Sequence, residues 1–298
     1  MADSSDFLHA GARGMTVRAD SSPALSDRDF ARFSRLVHEQ CGIRLGPHKK
    51  TMLEGRLRKR LRALQADSFE DYVDFVFSQA GLRDELVHLI DVVTTNKTDF
   101  FREAAHFDFM MKNTLPELVE TFGIGLTRKL RVWSAACSTG EEPYTLAMVL
   151  SEFSGEVPGF DFSILATDIS TRVLETARLG IYREEKVMPV PFEFKKKYLL
   201  RSKDPEKKQV RVIPELRRRV TFRRLNLMTD EFHINEPVDI IFCRNVIIYF
   251  DQPTQKRLLT RLTDHLAAGR FLFMGHSETL HSMQLPLTQL APSVYRKI

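Results

Sequence analysis

The sequence has little of what marks several common protein classes. Its 298 residues include only 14 glycines and 13 prolines, too few for a fibrous or low-complexity chain. Its three cysteines, Cys41, Cys137 and Cys243, stand far apart. They suggest neither a disulfide framework nor a paired-cysteine zinc site. We therefore expect no metal site, and a reducing, cytoplasmic location.

Long apolar runs are also missing. No stretch approaches the roughly 20 uncharged apolar residues of a membrane-spanning helix, so we expect no direct membrane insertion. The first residues have neither the basic start nor the apolar run of a signal peptide. Apolar residues nevertheless make up 43% of the chain, which is ordinary for a globular protein. The net charge of +5 permits an acidic partner, either nucleic acid or protein, without choosing between them.

Apolar spacing divides the chain into a helical part and an α/β part. Residues 1–25 show little periodicity and are predicted to form a flexible tail. Residues 26–93 have helical spacing and are predicted to form an all-helical domain, which begins at a capping-box-like pair, Ser26 and Asp29. Its last helix is predicted from the apolar residues between Leu82 and Val93.

Strands and helices then alternate, after a connecting segment at residues 94–128. Strands are predicted at 130–136, 162–168, 220–225 and 238–243, and helices at 171–180 and 253–267. This alternation indicates an α/β fold with an open, mostly parallel sheet over residues 129–298. Basic residues and prolines interrupt the rhythm at 181–219, which is predicted to be an inserted subdomain.

The loop after the first predicted strand indicates a nucleoside ligand without phosphate. It contains one glycine, Gly140, where a dinucleotide-binding loop needs three, and its acids Glu141 and Glu142 would repel phosphate. Asp168 ends the second strand, where an acid can accept hydrogen bonds from ribose hydroxyls. Helix capping is the alternative role of these acids. We expect Glu141 to cap its helix, and Glu142 and Asp168 to face a ligand such as S-adenosylmethionine.

Two further segments carry polar residues to places where a ligand would lie. Residues 94–102 join the helical part to the sheet, with a polar run that ends in two aromatics and an arginine. Residues 242–250 leave a buried strand through Arg244 and Asn245. Because an arginine within an apolar run is rarely tolerated alone, we expect Arg244 to have a partner.

Five sequence blocks together resemble the CheR family of chemotaxis receptor methyltransferases. In chain order they are TTNKTDFFR, WSAACSTGEEPYTLAM, ATDIS, LNLM and FCRNVIIYF. Each block is weak alone, but their order is specific, and the resemblance covers about residues 26–298. It implies a class I S-adenosylmethionine-dependent methyltransferase with a Rossmann-like sheet, an N-terminal helical domain and a small inserted β-subdomain. S-adenosyl-L-methionine is the implied cofactor, with S-adenosyl-L-homocysteine as its product, and receptor glutamates are the implied methyl acceptors.

The resemblance also implies the site residues. Cofactor contacts are expected from Asn96, Thr98, Arg102, Glu142, Asp168, Asn226, Leu227, Arg244 and Asn245. Glu142 is expected near the methionine ammonium, Asp168 at the ribose, and Asn226 and Leu227 at the adenine. Arg102 and Tyr249 match the positions closest to the transferring methyl and are the candidate catalytic residues, Tyr249 either as a hydrogen-bond donor or as an aromatic wall.

No general base is needed for this chemistry, because a glutamate carboxylate is already ionised at neutral pH. His106, the histidine nearest the blocks, is therefore expected to be an ordinary helix residue. Arg102 is expected to position the carboxylate, since the negative charge of the carboxylate disappears in the transition state.

The implied partners are the cytoplasmic helices of methyl-accepting chemotaxis receptors, without nucleic acid, and the protein is expected to be a monomer. Candidate substrate-binding residues lie on the second predicted helix: Arg56, Arg58, Lys59, Arg60 and Arg62. They either attract an acidic substrate helix or form an ordinary solvated face. Some family members bind a receptor's C-terminal pentapeptide through a glycine-bearing loop. Residues 201–209 have no glycine there, which predicts an enzyme independent of that tether.

Two alternatives stay open at this point. A nucleic-acid methyltransferase agrees with the basic pI, but residues 244–247 lack the Asn/Asp-Pro-Pro-aromatic signature that amine-methylating enzymes usually have. No interleaved basic and aromatic platform for nucleic acid is evident either. A cofactor-binding regulator without turnover is the other alternative, although all the motif positions are intact.

Overall fold

Five helices form the N-terminal part of the structure, a computed structural model that describes residues 24–280 and 283–298. The predicted flexible tail falls almost wholly outside the described residues. The helices are α1 Asp27–Cys41, α2 Lys50–Leu64, α3 Phe69–Val76, α4 Gln79–Asp84 and α5 Leu86–Val93. As predicted, Ser26 caps α1, where its side chain accepts a hydrogen bond from the backbone N–H of Asp29 at 3.0 Å.

The single helix predicted between Leu82 and Val93 is wrong, because the chain breaks at Glu85 between α4 and α5. The carboxylate of Glu85 turns into the helical core, where it accepts two hydrogen bonds from Arg60, both at 2.7 Å, and one from the Tyr72 hydroxyl at 2.9 Å. This buried, paired carboxylate links α2, α3 and the α4–α5 junction. Apolar spacing does not register such a break, because the apolar residues of α5, among them the buried Leu89 and Val93, continue the helical spacing of Leu82.

The connecting segment is largely helical. Two helices, α6 Ala105–Phe109 and α7 Leu115–Phe122, are joined by a π-helical turn at Met110–Thr114. Their buried side chains, among them Phe107 and Leu115, belong to the same apolar core as the sheet. The segment therefore packs as part of the α/β body.

The large sheet has seven strands in the order β6-β2-β1-β7-β8-β10-β9. Their bounds are β1 Leu130–Ala135, β2 Phe162–Asp168, β6 Val220–Arg224, β7 Val238–Cys243, β8 Leu266–Met274, β9 Leu287–Ala291 and β10 Val294–Lys297. The first five strands in that order pair in parallel, and β10 pairs antiparallel with β8 and β9. The predicted Rossmann-like, mostly parallel sheet is confirmed, while β9 was not predicted.

Three helices pack along this sheet: α8 Glu141–Glu156, α9 Thr171–Leu179 and α12 Gln252–Asp264. The helix predicted to reach residue 267 is wrong at its end. Leu266 is already part of β8, where it pairs with Val238 at the start of β7. None of the described helices is both long and apolar enough to cross a membrane.

The inserted segment contains a second, three-stranded antiparallel sheet, as predicted. It consists of β3 Ile181–Arg183, β4 Leu199–Arg201 and β5 Gln209–Val212 in the order β3-β5-β4, with the short helices α10 Phe192–Tyr198 and α11 Pro214–Arg217. The loop between β4 and β5 has no glycine, and Lys208 adopts a φ of +43° there.

Direct hydrogen bonds join the helical part to the carboxyl-end loops of the large sheet. The Asn226 side-chain amide donates to the carbonyl of Gln40 at 2.6 Å, and the Thr171 hydroxyl donates to Asp91 at 3.0 Å. At Gly42, which has a φ of +73°, an added Cβ would lie 2.5 Å from the sulfur of Met228, so this contact requires glycine.

We propose a helical domain at 26–93, a connecting segment at 94–128 and a methyltransferase domain at 129–298.

We expect Glu85→Ala to destabilise the protein by about 3 kcal/mol, because it removes one partner of a buried ion pair and leaves the Arg60 guanidinium without its carboxylate. Urea unfolding followed by circular dichroism measures this change. Lys59→Ala is the control, because Lys59 is exposed on α2, the helix that carries Arg60. It should change the free energy of unfolding by less than about 0.5 kcal/mol. Equal stabilities of the two variants would contradict the structural role of Glu85.

Candidate active site

One cavity, here called the central cavity, lies between the helical part and the carboxyl ends of β1, β2 and β7. It is lined by every residue expected to contact the cofactor, and by the candidate catalytic residue Tyr249: Asn96, Thr98, Arg102, Glu142, Asp168, Asn226, Leu227, Arg244, Asn245 and Tyr249. Five blocks that are distant in the sequence therefore meet at one place. Glu141 is not in the lining; its carboxylate accepts a hydrogen bond from the Thr139 hydroxyl at 2.6 Å.

Residues 94–102 lie at the central cavity and are held in place by hydrogen bonds with side chains of other elements. The carbonyl of Asn96 accepts a hydrogen bond from the Ser138 hydroxyl at 3.1 Å. The carbonyl of Thr98 accepts one from the Lys186 ammonium at 3.0 Å, which connects this segment to the inserted subdomain. Phe101 adopts a φ of +54°, an uncommon conformation for a bulky residue, and its N–H donates to the Thr145 hydroxyl at 3.2 Å. The segment is thus fixed by its surroundings.

Asp168 lies in the cavity wall with both of its carboxylate oxygens held by backbone N–H groups. One of its oxygens accepts a hydrogen bond from the N–H of Ser138 at 2.8 Å, and the other accepts one from the N–H of Ser170 at 3.0 Å. Burial raises the pKa of Asp168, and these backbone donors oppose the shift. Each carboxylate oxygen has a further acceptor position, so Asp168 can still bind two hydroxyl groups in the cavity.

Arg244 is buried and has partners, as expected. Its guanidinium lies 3.2 Å from Glu103 and 3.3 Å from Glu142, and it also donates to the carbonyl of Arg102. Burial would raise the pKa of Glu103, but Arg244 and Asn245 hold it below its usual value. For Glu142 the effect of burial prevails and the pKa is raised, although Arg244 and the Ser134 hydroxyl oppose the shift. Sequence patterns did not point to Glu103.

Glu278 is a second acid that the sequence patterns did not single out. It is 3% exposed and accepts hydrogen bonds from four backbone N–H groups, those of Asn245, Val246, Ile247 and Gly275, at 2.7–2.9 Å. These contacts hold Asn245 at a φ of +58°, directly beside Arg244 at the cavity wall. The available signal was its position, four residues beyond the end of β8, at the ligand edge of the sheet.

Asn226 and Tyr249 differ in how free their side chains are to meet a ligand in the cavity. Both ends of the Asn226 amide are engaged, since it donates to Gln40 and accepts from the N–H of Met228 at 3.0 Å. Asn226 therefore contributes a wall more than a free side-chain donor. Tyr249 is half-buried, and among the described residues its hydroxyl has no hydrogen-bond partner, so it is available to a ligand.

The basic residues of α2 lie outside the central cavity and divide into two groups. Arg56 donates to the carbonyls of Val92, Val93 and Thr94 at the end of α5, at 2.5–3.2 Å. Arg60 is paired with Glu85, and Arg58 is paired with Glu54 at 2.8 Å. Lys59 and Arg62, in contrast, are exposed. A run of five basic residues therefore contains only two exposed side chains.

S-adenosylmethionine fits the residues that line this cavity. The adenosine part would meet apolar side chains such as Ile169, Leu225 and Leu227, while the buried Asp168 offers acceptors to its ribose. The loop after β1 supplies no three-glycine phosphate site, and the neighbouring Glu142 has a carboxylate instead. A ligand with a ribose and positive charge, but no phosphate, suits this combination.

Comparison with known proteins agrees with this fit. Residues 96–295 match the family described as CheR methyltransferase, SAM binding domain, and residues 28–94 match CheR methyltransferase, all-alpha domain. The chain is 40% identical over 270 residues to a chemotaxis protein methyltransferase of Borreliella burgdorferi, which covers 90% of this chain and 94% of that protein. It is 39% identical over 288 residues to a chemotaxis protein methyltransferase of Escherichia coli, covering 97% of each.

We expect Glu278→Gln to weaken the binding of S-adenosylhomocysteine at least tenfold. The amide nitrogen of glutamine cannot accept hydrogen bonds, so two backbone N–H groups that Glu278 now satisfies would be left unpaired and the loop that carries Asn245 would shift. Isothermal titration calorimetry measures the dissociation constant, and circular dichroism tests whether the variant is folded. Glu117→Gln, which changes an acid paired with Arg296 far from the cavity, is the matched control. An unchanged dissociation constant for folded Glu278→Gln would rule out the positioning role.

Proposed function

The chain belongs to the CheR methyltransferase family and is a chemotaxis protein methyltransferase that uses S-adenosylmethionine; we propose that its methyl acceptors are glutamate side chains on the cytoplasmic helices of chemoreceptors. The product would be a glutamate methyl ester, and the enzyme would act in the cytoplasm as a monomer, without nucleic acid. The observation that carries the proposal is the convergence of all five motif blocks on the central cavity, where Arg102 and Tyr249 lie together with the expected cofactor residues.

The cofactor would be held by side chains whose orientation the protein has already fixed. Asp168 would accept hydrogen bonds from the ribose, and Glu142 would lie near the methionine ammonium, with Arg244 fixing the orientation of its carboxylate. Leu227 would pack at the adenine, beside Asn226. Asn96, Thr98 and Asn245 complete the proposed set of contacts. When bound, the cofactor supplies an electrophilic methyl group on its sulfonium.

Arg102 would position the acceptor carboxylate. One guanidinium nitrogen donates to the carbonyl of Lys97 at 3.1 Å, which orients the side chain at the cavity wall. Its remaining N–H groups can form a fork with a carboxylate. Tight binding of the ionised carboxylate would slow transfer, because its charge is lost in the transition state. Alignment of the reacting groups, worth roughly 7–11 kcal/mol in favourable cases, is therefore the main contribution proposed for this residue.

Tyr249 would complete the proposed site on the side of the helical domain. Its ring lies 5.6 Å from the Lys49 ammonium, and its carbonyl accepts a hydrogen bond from the N–H of Arg44 at 3.0 Å. The residue is thus anchored to the helical domain through its backbone, while its hydroxyl has no partner among the described residues. An entering carboxylate could accept this hydrogen bond.

Substrate docking would use the exposed charges of α2. Arg56 donates to backbone carbonyls and Arg60 pairs with Glu85, both inside the helical domain. We therefore restrict the proposed docking residues of this helix to Lys59 and Arg62. Both side chains are exposed, and Arg62 bonds only to the carbonyl of Arg58 one turn earlier, at 3.3 Å, so both can attract an acidic receptor helix.

We further propose that this enzyme works without a receptor pentapeptide. In tether-binding relatives a glycine-bearing loop of the β-subdomain makes that contact. Here the loop between β4 and β5 contains no glycine, and Lys208 takes the positive φ in it. A lysine side chain on this loop occupies space that a glycine would leave open to an approaching peptide backbone.

The proposed activity is tested by incubating the protein with radiolabelled S-adenosylmethionine and chemoreceptor-containing membranes. We expect label on the receptor that alkali releases as volatile methanol, because esters are base-labile. Arg102→Ala should reduce the rate at least 100-fold while retaining measurable cofactor binding in calorimetry, since alignment is lost. Arg131→Ala, at the opposite end of β1, is the control. Base-stable label would reject a glutamate ester, and near-normal turnover by Arg102→Ala would remove Arg102 from the catalytic residues.

Charge reversal tests the docking surface. We expect the double variant Lys59→Glu and Arg62→Glu to raise the KM for receptor at least threefold at 50 mM salt, with little change in kcat, because encounter is slowed and the chemistry is untouched. The increase should shrink at 300 mM salt. The control, Lys256→Glu with Arg257→Glu on α12, makes the same change in net charge on another exposed face. An equal KM at low salt for both double variants would show that α2 is only a solvated surface.

A further inference from the structure

A group of metal-ligating side chains lies next to the central cavity but outside its lining. Glu103, His106 and His276 each place one ligand atom within 4.8 Å of the other two. We propose that these three residues bind one divalent transition-metal ion of the Zn²⁺ type. This inference does not depend on the methyl acceptor, because it rests on the geometry of the three side chains alone.

His106 carries the strongest evidence for such a ligand. It is 2% exposed, and neither of its ring nitrogens makes a hydrogen bond within the described part of the chain. Its Nδ1 lies 3.5 Å from a carboxylate oxygen of Glu103, too far for a good hydrogen bond. Buried polar atoms without partners are uncommon and destabilising. A metal ion would satisfy one of these nitrogens.

Two separate segments supply the ligands. Glu103 precedes α6, His106 lies in the first turn of α6, and His276 follows β8. The ring of His276 contacts that of His106 edge to face, with centroids 4.8 Å apart. Because His276 is exposed, the site has an open side through which an ion can enter and a water ligand can bind.

The ligand set indicates the class of ion. Two imidazole nitrogens and one carboxylate oxygen, with an open position for water, are typical of zinc sites. Bonds of about 2.0–2.2 Å place neighbouring ligands of a tetrahedral ion about 3.3 Å apart, so the group must contract on binding. The exposed His276 side chain is free to make most of that movement.

Glu103 connects the proposed metal site to the central cavity. One of its oxygens already accepts hydrogen bonds from Arg244 at 3.2 and 3.3 Å. The guanidinium charge would oppose a nearby cation, so we expect micromolar affinity and not the tighter binding of a structural zinc site. An ion on Glu103 would also weaken its pairing with Arg244, whose other partner is Glu142 in the cavity wall. Metal and cofactor binding should therefore oppose each other.

The test is titration of the purified full chain with Co²⁺, whose visible absorption reports coordination, followed by displacement with Zn²⁺. We expect one Co²⁺ per chain at micromolar concentrations. His276→Ala should weaken binding at least tenfold without unfolding the protein, because this side chain is exposed. His233→Ala, which removes an exposed histidine 3.7 Å from Glu231, is the matched control and should bind Co²⁺ like the unmodified protein.

Competition between metal and cofactor analogue is a second test, which also applies if the ligand variants differ in stability. In calorimetry, saturating Zn²⁺ should weaken S-adenosylhomocysteine binding at least threefold in the unmodified protein and leave His276→Ala unaffected. Glu103→Gln should lose Co²⁺ binding as well. The proposal is overturned if the unmodified protein binds no Co²⁺ at 0.1 mM, or if His276→Ala binds it as tightly as His233→Ala.

Discussion

The ion-pair network around Arg244 is the constraint on which the site depends. A guanidinium buried at the end of β7 must be neutralised, and its two acids come from different places, Glu103 before α6 and Glu142 in the first turn of α8. Loss of either partner would leave charge uncompensated in a poorly hydrated interior. The pairing thus holds the connecting segment against the sheet, and in doing so it forms the wall of the central cavity.

Backbone strain is concentrated around the same cavity. Five non-glycine residues with positive φ lie in the loops that surround it: Phe101, Glu103, Ala136, Ser138 and Asn245. Such conformations persist only where the surroundings hold them. Asp168 accepts the N–H of Ser138, and Glu278 accepts the N–H of Asn245, so two buried carboxylates stabilise strained loops on opposite sides of the site. The rigidity of the site therefore comes partly from Asp168, which a sequence block contains, and partly from Glu278, which none of the blocks contains.

Local patterns predicted the elements of this protein better than its long-range contacts. Apolar runs predicted β2 and β7 with the bounds that the structure shows. The ten site residues expected from the sequence blocks all line one cavity. Residues such as Glu103, Glu278 and Lys186 were not predicted, because their partners lie on other elements; for Glu278 the one available signal was its place just beyond the end of β8. Glu85 escaped for the same reason: its partners Arg60 and Tyr72 are distant in sequence, so helical spacing ran across the break it makes.

The basic helix shows most clearly why composition cannot assign function. Five positive residues within seven positions of α2 look equivalent in sequence, yet Arg56 ties down the end of α5 and Arg60 neutralises a buried acid. An arginine whose N–H groups bond to backbone carbonyls or to a buried carboxylate has fewer of them left to hydrogen-bond a partner. Only the exposed side chains of this helix, here Lys59 and Arg62, remain available for recognition. The charges that a substrate can meet on the surface therefore depend on which charged side chains already have partners within the fold.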